Sequence, residues 1–517
     1  MVSAAIRLLV GLSGLFFSYV LIHHLRRRAR TTPLVGPPST NFLLGLGRLV
    51  SKSPDPSLLY EQWAEKYGPV YNVPAALNIS RVILCDPRAV NFVFARGTYG
   101  FVKPRVDRVA IELTVGRGIM HADCDEHKRQ RKGLIPAFAN ASIRNLTPVF
   151  YDAAYQVKNA WDGIIEAQSG GSAVIEVQTW MNRISLDTLG IAGFTHDFGT
   201  LKGKHSSIAE CFDALTGART DFDLLMAMVG LAFPTIVRVP SPLLRLFKKL
   251  DATIEEIATR LLDSSRKEKV GGAAEDKSIV GLLLKSESSK SALRMSQEEI
   301  VSQMKVLIFA GYVTSSIMLT WCLIELSKKT EVQQKLRDEL AQYTSADPTW
   351  EQLTHALPYL DAVVQETVRL HPQVKEHTAV ATEDTIIPLS APMRTASGQV
   401  VTIPIHYMNM AGVLWGSDAR EFRPERWVEA GGIPPRAQEI QGHRHVLTFI
   451  DGPRMCLGRG FAFAQMKAVL SVLIKNFAFE LRDGWETRIE VILGVNERPR
   501  VAGEEGVRVP LRVRRLE

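Results

Sequence analysis

The 517-residue chain contains only five cysteines, and none of them forms part of a C-x-x-C pair. This shortage excludes a zinc site or a redox dithiol built from neighbouring cysteines, and it favours a reducing compartment. Internal repeats are also absent, and convincing strand patterns are few. The five positions, widely spaced along the chain, are Cys85, Cys124, Cys211, Cys322 and Cys456.

The chain also lacks a basic patch interleaved with aromatic residues. Its formal net charge is +8 and its pI is about 9.1. Half of that positive excess comes from four arginines near the N-terminus, which are Arg26, Arg27, Arg28 and Arg30. We therefore predict no nucleic-acid partner.

These arginines follow a long apolar run. Leu8 to Ile22 contains no charged residue, and the longer span from Val2 to Leu25 has only Arg7, so it reaches the ~20 residues that a membrane-spanning helix needs. The positive-inside rule places the rest of the chain in the cytosol. A cleaved signal peptide is the alternative, but no small-x-small site ends the run. We predict a single-pass anchor in the endoplasmic reticulum membrane over 1–25, a basic and proline-rich hinge over 26–39, and one domain over 40–517.

A decapeptide near the C-terminus carries five residues suited to presenting a thiolate: Phe449, Gly452, Arg454, Cys456 and Gly458. The glycines let the backbone approach the sulfur, and the amides of the helix that follows stabilise negative charge there. A lone cysteine is more often a small hydrophobic residue, but five matching positions make coincidence a poor explanation. The stretch resembles the F-x-x-G-x-R-x-C-x-G haem-binding signature of the cytochrome P-450 superfamily. The resemblance implies that Cys456 is the axial ligand of a haem b iron, that Phe449 shields the sulfur and that Arg454 pairs with a haem propionate.

A second match is Glu366 and Arg369, which stand three apart in an apolar-periodic run that Pro372 ends. On a helix this spacing puts both on one face, and such pairs are usually solvated surface contacts. Downstream, Phe422–Trp427 resembles the family's F-x-P-E-R-[FW] element. The resemblance implies that Arg426 joins Glu366 and Arg369 in a buried structural network that locks the Cys456 loop.

The third match lies in a helix predicted over Gln297–Lys328. Ala310, Gly311 and Thr314 resemble the family's oxygen-activation motif, in which the glycine leaves room for dioxygen and the threonine hydroxyl donates a hydrogen bond to it. The alternative for Thr314 is a hydroxyl bonded back to the carbonyl four residues earlier. Val313 occupies the position where the family usually has an acid, so the acidic member of the proton relay is missing.

A fourth match is partial. His127 and Arg131 stand where the family has W-x-x-x-R, whose Trp and Arg hold a haem propionate, and His127 could equally be a surface residue. Ala379 stands where many relatives have an arginine for the other propionate, and His377, two residues earlier, is the candidate replacement.

The resemblance covers roughly Pro37 to Val513 and implies a mainly α, P-450-type fold with small β-sheets behind the anchor. We predict strands at Val70–Val73, Val82–Leu84, Val400–Ile403 and Ile489–Val495, and helices that include Pro56–Tyr67, Glu325–Tyr343 and Gly460–Phe477.

The implied activity is a monooxygenase that inserts one oxygen atom from O₂ into a lipophilic substrate, such as a terpenoid, sterol or aromatic polyketide, in secondary metabolism. NADPH would supply electrons through a flavin reductase, which would dock on a basic cluster formed by Lys128, Arg129, Lys132 and Arg459. Two alternatives stay open. One is a reductase-independent haem-thiolate isomerase, dehydratase or peroxygenase, and the other is a membrane haem-binding protein without turnover.

Overall fold

The computed structural model describes residues 30–516, apart from positions 40, 42–43, 97–98, 169, 219, 271–278, 288–293, 344–345, 390 and 493–495. The predicted membrane anchor over 1–25 lies outside the described residues. The described part is mainly helical with small sheets, as predicted.

The helices follow local sequence signals. Helix α2 (Pro56–Tyr67) begins with Pro56 at its first position and with the Asp55 carboxylate accepting from Ser57 N, and α12 (Gln297–Lys328) begins with a capping box between Ser296 and Glu299. The helices are α1 (Gly47–Lys52), α2 (Pro56–Tyr67), α3 (Pro87–Asn91), α4 (Arg105–Val115), α5 (Cys124–Leu134), α6 (Asn140–Glu166), α7 (Val177–Phe194), α8 (Ser207–Leu215), α9 (Asp221–Gly230), α10 (Pro242–Val270), α11 (Ile279–Glu287), α12 (Gln297–Lys328), α13 (Thr330–Leu340), α14 (Trp350–His355), α15 (Pro358–Leu370), α16 (Ile405–Met410), α17 (Gly412–Trp415), α18 (Pro435–Gln438) and α19 (Arg459–Asn476).

The strands form one five-stranded sheet of order β1-β2-β8-β5-β3, one three-stranded sheet of order β4-β12-β9, and the pairs β6-β7 and β10-β11. In the largest sheet β2 and β8 are parallel, and the other pairings are antiparallel. The strands are β1 (Val70–Pro74), β2 (Ser80–Leu84), β3 (Phe101–Val102), β4 (Ser172–Glu176), β5 (His377–Ala381), β6 (Thr385–Ile387), β7 (Met393–Thr395), β8 (Val400–Ile403), β9 (Phe477–Leu481), β10 (Ile489–Ile492), β11 (Arg498–Val501) and β12 (Pro510–Arg515).

Helix α12 is the centre of the molecule. It packs against α7, α10 and α19, and α19 also packs along α6. It is long and apolar enough to cross a bilayer, yet 67% of its most apolar window is buried inside the protein. That burial is what a core helix requires, because an apolar helix surface is stabilised wherever it is removed from water.

The described part of the predicted hinge runs along the sheets. Asn72 N donates to Val35 O at 2.9 Å, and Thr32 N donates to Arg394 O at 3.1 Å. A Cβ at Gly36 would lie 1.8 Å from Asn72 O, so only glycine allows this approach. Residues 31–36 are therefore held against strands β1 and β7.

Candidate active site

The loop that carries Cys456 is held by its own backbone. Cys456 N donates to Phe449 O at 3.0 Å, and a turn of 3₁₀-helix covers Gly452–Arg454. Gly452 has a φ of +66°, and a Cβ there would lie 2.2 Å from Phe94 O. The glycine is required both for the left-handed backbone and for the close contact. The loop therefore ends directly at the N-terminus of α19.

The Cys456 sulfur faces backbone donors. The N–H groups of Gly458 and Arg459 donate toward it, and Arg131 lies near enough to favour its anionic form. Enclosure by protein atoms outweighs these effects and raises the pKa of the Cys456 thiol above its ordinary value. Cys456 nevertheless keeps exposed surface. A metal ion bound there would favour the thiolate outright. Phe449 packs on Phe463 with ring centroids 5.6 Å apart beside this loop.

One stripe of α12 keeps solvent-accessible surface although the helix around it is buried. Between positions 302 and 327 the partly accessible residues are Leu307, Phe309, Ala310, Gly311 and Thr314. Four of them follow the spacing i, i+3, i+4 and i+7, which is one face of a helix. This face therefore borders open space inside the protein, and it contains all three predicted catalytic residues.

The detailed contacts of these residues differ from their predicted tasks. The Thr314 hydroxyl donates to Ala310 O at 2.6 Å, which is the alternative that its mid-helix position allows. A Cβ at Gly311 would lie 2.9 Å from Leu189 Cδ1 of α7, so the glycine lets the Leu189 side chain pack closely against α12. Val313 is 1% exposed and lies off the accessible stripe. The oxygen-activating roles of Ala310, Gly311 and Thr314 stay predictions.

Arg454 lies in a buried cluster of cationic side chains. Its Nη2 is 2.6 Å from Asp123 Oδ1, and Lys103 Nζ is 3.5 Å from the same oxygen. Within the described residues none of the three buried guanidinium nitrogens of Arg454 makes a well-aligned hydrogen bond. Burial, with Arg454 nearby, lowers the pKa of Lys103 to about 8 despite Asp123. The cluster thus has more positive charge than Asp123 balances.

The two predicted histidines adjoin this cluster. Burial and the nearby charges of Arg454 and Lys103 lower the pKa of His127 and of His377 to about 4, so both are neutral at pH 7. Tyr99 Oη is 3.2 Å from His127 Nδ1. If the tyrosine hydroxyl donates there, His127 carries its proton on Nε2 and can donate from that atom. His377 stacks at a tilt on Phe94 with centroids 5.1 Å apart.

The structure brings Glu366, Arg369 and Arg426 together. The Glu366 and Arg369 side chains are fully buried and joined at 2.7 Å, and Arg426 Nε is 3.5 Å from Glu366 Oε1. Trp427 Nε1 also donates to Glu366, at 3.0 Å. Arg426 donates to the Asp418 carboxylate at 3.1 Å. These are the contacts of a buried structural network.

Asn409 connects that network to the Cys456 loop, and sequence inspection gave no signal for it. Arg369 Nη1 donates to Asn409 O at 2.8 Å, while Asn409 Oδ1 accepts from Leu447 N at 3.0 Å. Asn409 Nδ2 donates to Thr448 Oγ1 at 2.9 Å. Thr448 directly precedes Phe449, so displacement of Arg369 would reach the loop through one side chain.

These features fit a haem. A single thiolate is aimed by backbone amides, a threonine-bearing helix face borders internal space, and a cationic cluster can receive two carboxylates, which are the propionates of a haem. Lys103, Asp123 and Tyr99 belong to the cluster although no sequence motif marks them. Fold and site together define the class of haem-thiolate enzymes.

The chain belongs to the cytochrome P450 family, because the family model described as Cytochrome P450 matches residues 35–497. Cytochrome P450 monooxygenase claP of Ampulloclitocybe clavipes is 51% identical over 526 residues, covering 98% of each chain. Cytochrome P450 monooxygenase claW of the same fungus is 50% identical over 514 residues, covering 96% of this chain and 95% of its own. A ganoderic acid synthetase of Ganoderma lucidum is 30% identical over 519 residues, covering 92% of this chain and 93% of its own.

The predicted family, the enzyme class and the haem iron cofactor are therefore confirmed. The chain is a cytochrome P450 monooxygenase.

Proposed function

We propose that the enzyme inserts one oxygen atom from O₂ into a lipophilic small molecule of secondary metabolism, with electrons from NADPH delivered by a flavin reductase. The observation that carries this proposal is the accessible stripe on α12, which brings Thr314, Ala310 and the apolar Leu307 to one internal space. A terpenoid, a sterol and an aromatic polyketide all meet its apolar character. The relative named for ganoderic acid synthesis supports a role in small-molecule biosynthesis.

When bound, the haem supplies the iron at which dioxygen is reduced. In our proposal Cys456 would hold that iron as a thiolate, which the bound metal favours and toward which the amides of Gly458 and Arg459 donate. Arg454, Arg131 and the Nε2–H of His127 bind the propionates, and His377 takes the place that Ala379 leaves empty. Residues 377 and 379 lie on the same face of β5, because every second residue of a strand shares a face.

Proton delivery is assigned to Thr314, Ser315 and ordered water. A carboxylate beside Thr314 is missing because position 313 is valine, and the Ser316 hydroxyl donates to Val313 O at 2.9 Å. Thr314 keeps an oxygen that can accept a proton while its hydrogen bonds to Ala310 O. We expect the relay to be less efficient than one with an acid, but of the same kind.

The reductase is proposed to bind the face that includes α5. Lys128 and Lys132 are exposed there, and Lys128 Nζ lies 4.5 Å above the Tyr99 ring. Arg129 is engaged by Glu299 and by Arg294 O, to which it donates at 2.8 Å. Lys128 Nζ also pairs with the exposed Asp125 carboxylate at 2.8 Å, so Lys132 is better suited than Lys128 or Arg129 to meet acidic groups of a partner.

The membrane is proposed to hold the chain through residues 1–25, with a second contact around α9. Phe222 and Leu225 of α9 are 44% and 37% exposed, and Phe233 and Val239 further on are 51% and 42% exposed. Large apolar side chains grouped on a surface favour contact with lipid or protein. Deleting 2–30 should release part of the protein from microsomes, with residual binding if the α9 region also touches lipid. Protease protection of the domain in intact microsomes would contradict the cytosolic orientation.

The proposed function is tested by co-expression with a flavin reductase and product analysis by mass spectrometry. We expect substrate-dependent NADPH consumption and a product heavier by one oxygen, with the label of ¹⁸O₂. Cys456→Ser should abolish the thiolate-type band of the reduced CO complex, while the exposed-surface variant Cys124→Ser should retain it. An unchanged spectrum in Cys456→Ser would refute the ligand assignment.

A second candidate function rests on Val313. Without an acid in the relay, a reductase-independent isomerase, dehydratase or peroxygenase is consistent with the same site. Product formation from a peroxide or endoperoxide, with no reductase present, would favour this function over the first.

A further inference from the structure

Two buried glutamines connect α5 and α12 to the loop between α4 and α5. Ile119 N donates to Gln303 Oε1 at 3.0 Å, and Gln303 Nε2 donates to Gln130 Oε1 at 2.9 Å. Both glutamines are 0% exposed. Because a backbone N–H can only donate, the orientation of the Gln303 amide is fixed, and that of Gln130 is fixed by it in turn.

The far end of this chain of hydrogen bonds reaches acceptors. Gln130 Nε2 is 3.4 Å from Arg117 O, 3.4 Å from Glu299 Oε1 and 3.5 Å from Glu126 Oε1. Glu299 is held in turn by Arg129 and by the cap at the start of α12. At both glutamines the amide oxygen therefore accepts from an N–H group and the amide NH₂ donates to an oxygen. This pattern of donors and acceptors makes the arrangement specific to glutamine at both positions.

The loop is pressed onto α12 at this point. A Cβ at Gly118 would lie 2.8 Å from Ser302 O and 2.8 Å from Val306 Cγ2. At its other end the loop is held by Lys103, which donates to Ala122 O at 3.0 Å. Ile119 lies between these two contacts, is partly accessible and packs against the core.

The position of Gln303 on α12 relates the loop to the active site. Counting from Gln303, Leu307, Ala310 and Thr314 follow at i+4, i+7 and i+11, so all four share one face of the helix. Gln303 is the buried end of the stripe whose other members border internal space. A shift of Ile119 relative to Gln303 would therefore move the loop along the same face.

We propose that Gln303 and Gln130 are positioning residues that fix the Ile119 loop as a wall of the substrate pocket, and so help to set which lipophilic ligands it accepts. This inference rests on the proposed function for its substrate class. The glutamines touch neither substrate nor haem, and they act through the backbone of Ile119. Loss of either amide leaves buried partners unsatisfied, so the loop should separate from α12 more often.

The test uses the haem-loaded full chain and two readouts that need no turnover. Gln303→Met preserves side-chain volume and removes both hydrogen bonds, whereas Gln303→Glu keeps an acceptor for Ile119 but as a carboxylate cannot donate to Gln130. Gln130→Met removes the second half of the pair. Gln334→Glu, at an exposed position of α13, is the matched control for the charge change.

Hydrogen exchange is measured on peptides covering 116–122, and affinity for 4-phenylimidazole is measured from the spectral shift of the haem. We expect exchange about tenfold faster in Gln303→Met and Gln130→Met, as the loss of a buried hydrogen bond implies, with weaker azole binding in both. Gln303→Glu should protect the Ile119 amide better than Gln303→Met does. Gln334→Glu should change neither readout.

Unchanged exchange in both methionine variants, with an intact reduced-CO spectrum, would overturn the proposal. Faster exchange with unchanged azole affinity would also overturn it, because the loop would then be held by the pair but would not belong to the pocket wall. If the exchange and affinity results are as expected and no NADPH-dependent product is found with any substrate, the proposed function fails while the positioning role stands.

Discussion

Replacing Glu366 by glutamine, which exchanges one carboxylate oxygen for an NH₂ group, should strongly lower the stability of this enzyme. The carboxylate accepts from Arg369 Nη2 at 2.7 Å and from Arg369 Nε at 2.8 Å. It also accepts from Arg423 N and Trp427 Nε1, both at 3.0 Å. An amide has one oxygen in place of two, so whichever way it turns, its NH₂ group faces donors.

The magnitude follows from burial. The side chains of Glu366 and Arg369 are 0% exposed, and the other partners of Arg369 are the carbonyls of Asn409, Ala419 and Glu421. Glu366→Gln therefore leaves a buried guanidinium without its carboxylate, a change that costs about 3–5 kcal/mol. Natural stabilities are about 5–15 kcal/mol, so the substitution would remove roughly a fifth or more of the total stability.

The assay is urea unfolding of the haem-loaded protein, followed in parallel by far-ultraviolet circular dichroism and haem absorbance. We expect a large fall in the midpoint and poor haem retention, because Asn409 transmits the disturbance to Leu447 and Thr448 beside the Cys456 loop. Asp125→Asn, which removes an ion pair in solvent, should leave the midpoint unchanged. Equal midpoints and haem content in Glu366→Gln and wild type would refute the argument.

Three further changes have distinct expected results. Thr314→Ala should lower the product formed per NADPH by about tenfold and raise peroxide. This loss is smaller than the ~10²–10⁴-fold rate contribution of a typical general acid, because water can partly replace Thr314. An unchanged ratio of product to NADPH would make Thr314 a packing residue. Tyr99→Phe removes the hydroxyl that meets His127 at 3.2 Å, and a hydrogen bond worth about 1 kcal/mol corresponds to roughly fivefold faster haem transfer to apomyoglobin; equal rates would contradict the role of Tyr99 in orienting His127. His371 and Lys328 outweigh the effect of burial and lower the pKa of Glu325 to about 2. The stability that Glu325 contributes is therefore present above its unfolded pKa of about 4.5 and is lost as pH falls toward 2, so Glu325→Gln should show a shallower loss over that window.

Local sequence signals predicted much of the helical framework. Pro56–Tyr67 and Gln297–Lys328 have the predicted bounds, because a proline start or a capping box marks their first turns. The single helix predicted over Glu325–Tyr343 is wrong in one respect, since the backbone of Lys329 at φ −122° and ψ 80° separates α12 from α13. The Gln333 side-chain amide donates to Leu326 O across that break at 3.0 Å. Hydrophobic periodicity does not reveal a hydrogen bond of this kind between two helices.

The site was predictable only where contiguous residues form a motif. Phe449 to Gly458 occupy one loop, and their order alone indicated the thiolate. Asn409 acts instead through contacts to residues 40 positions earlier and 38 positions later, and Tyr99 reaches His127 across 28 positions that include β3 and α4. Side chains of this kind are common in any sequence, and only the packing of distant elements gives them a task.

The three departures from the family pattern are not equivalent in physical terms. In our proposal His127 and Ala379 stand at the propionate site, where the attraction is electrostatic and spread over several groups. There Lys103, Arg454 and His377 already supply charge and donors from separate elements, so the loss of one donor is shared among the rest.

Val313 alters a step that needs one proton at one place, and charge elsewhere cannot substitute for it. Helix α12 offers hydroxyls beside Thr314, of which Ser316 is committed to Val313 O at 2.9 Å and Ser315 is 4% exposed. A relay through Ser315 then depends on water reaching a nearly buried group. Introducing the acid by Val313→Asp should improve coupling only if water enters as well, since an unpaired buried carboxylate stays protonated. Improved product per NADPH in that variant would show that the pocket is hydrated, whereas reduced haem content without improvement would show that it is dry.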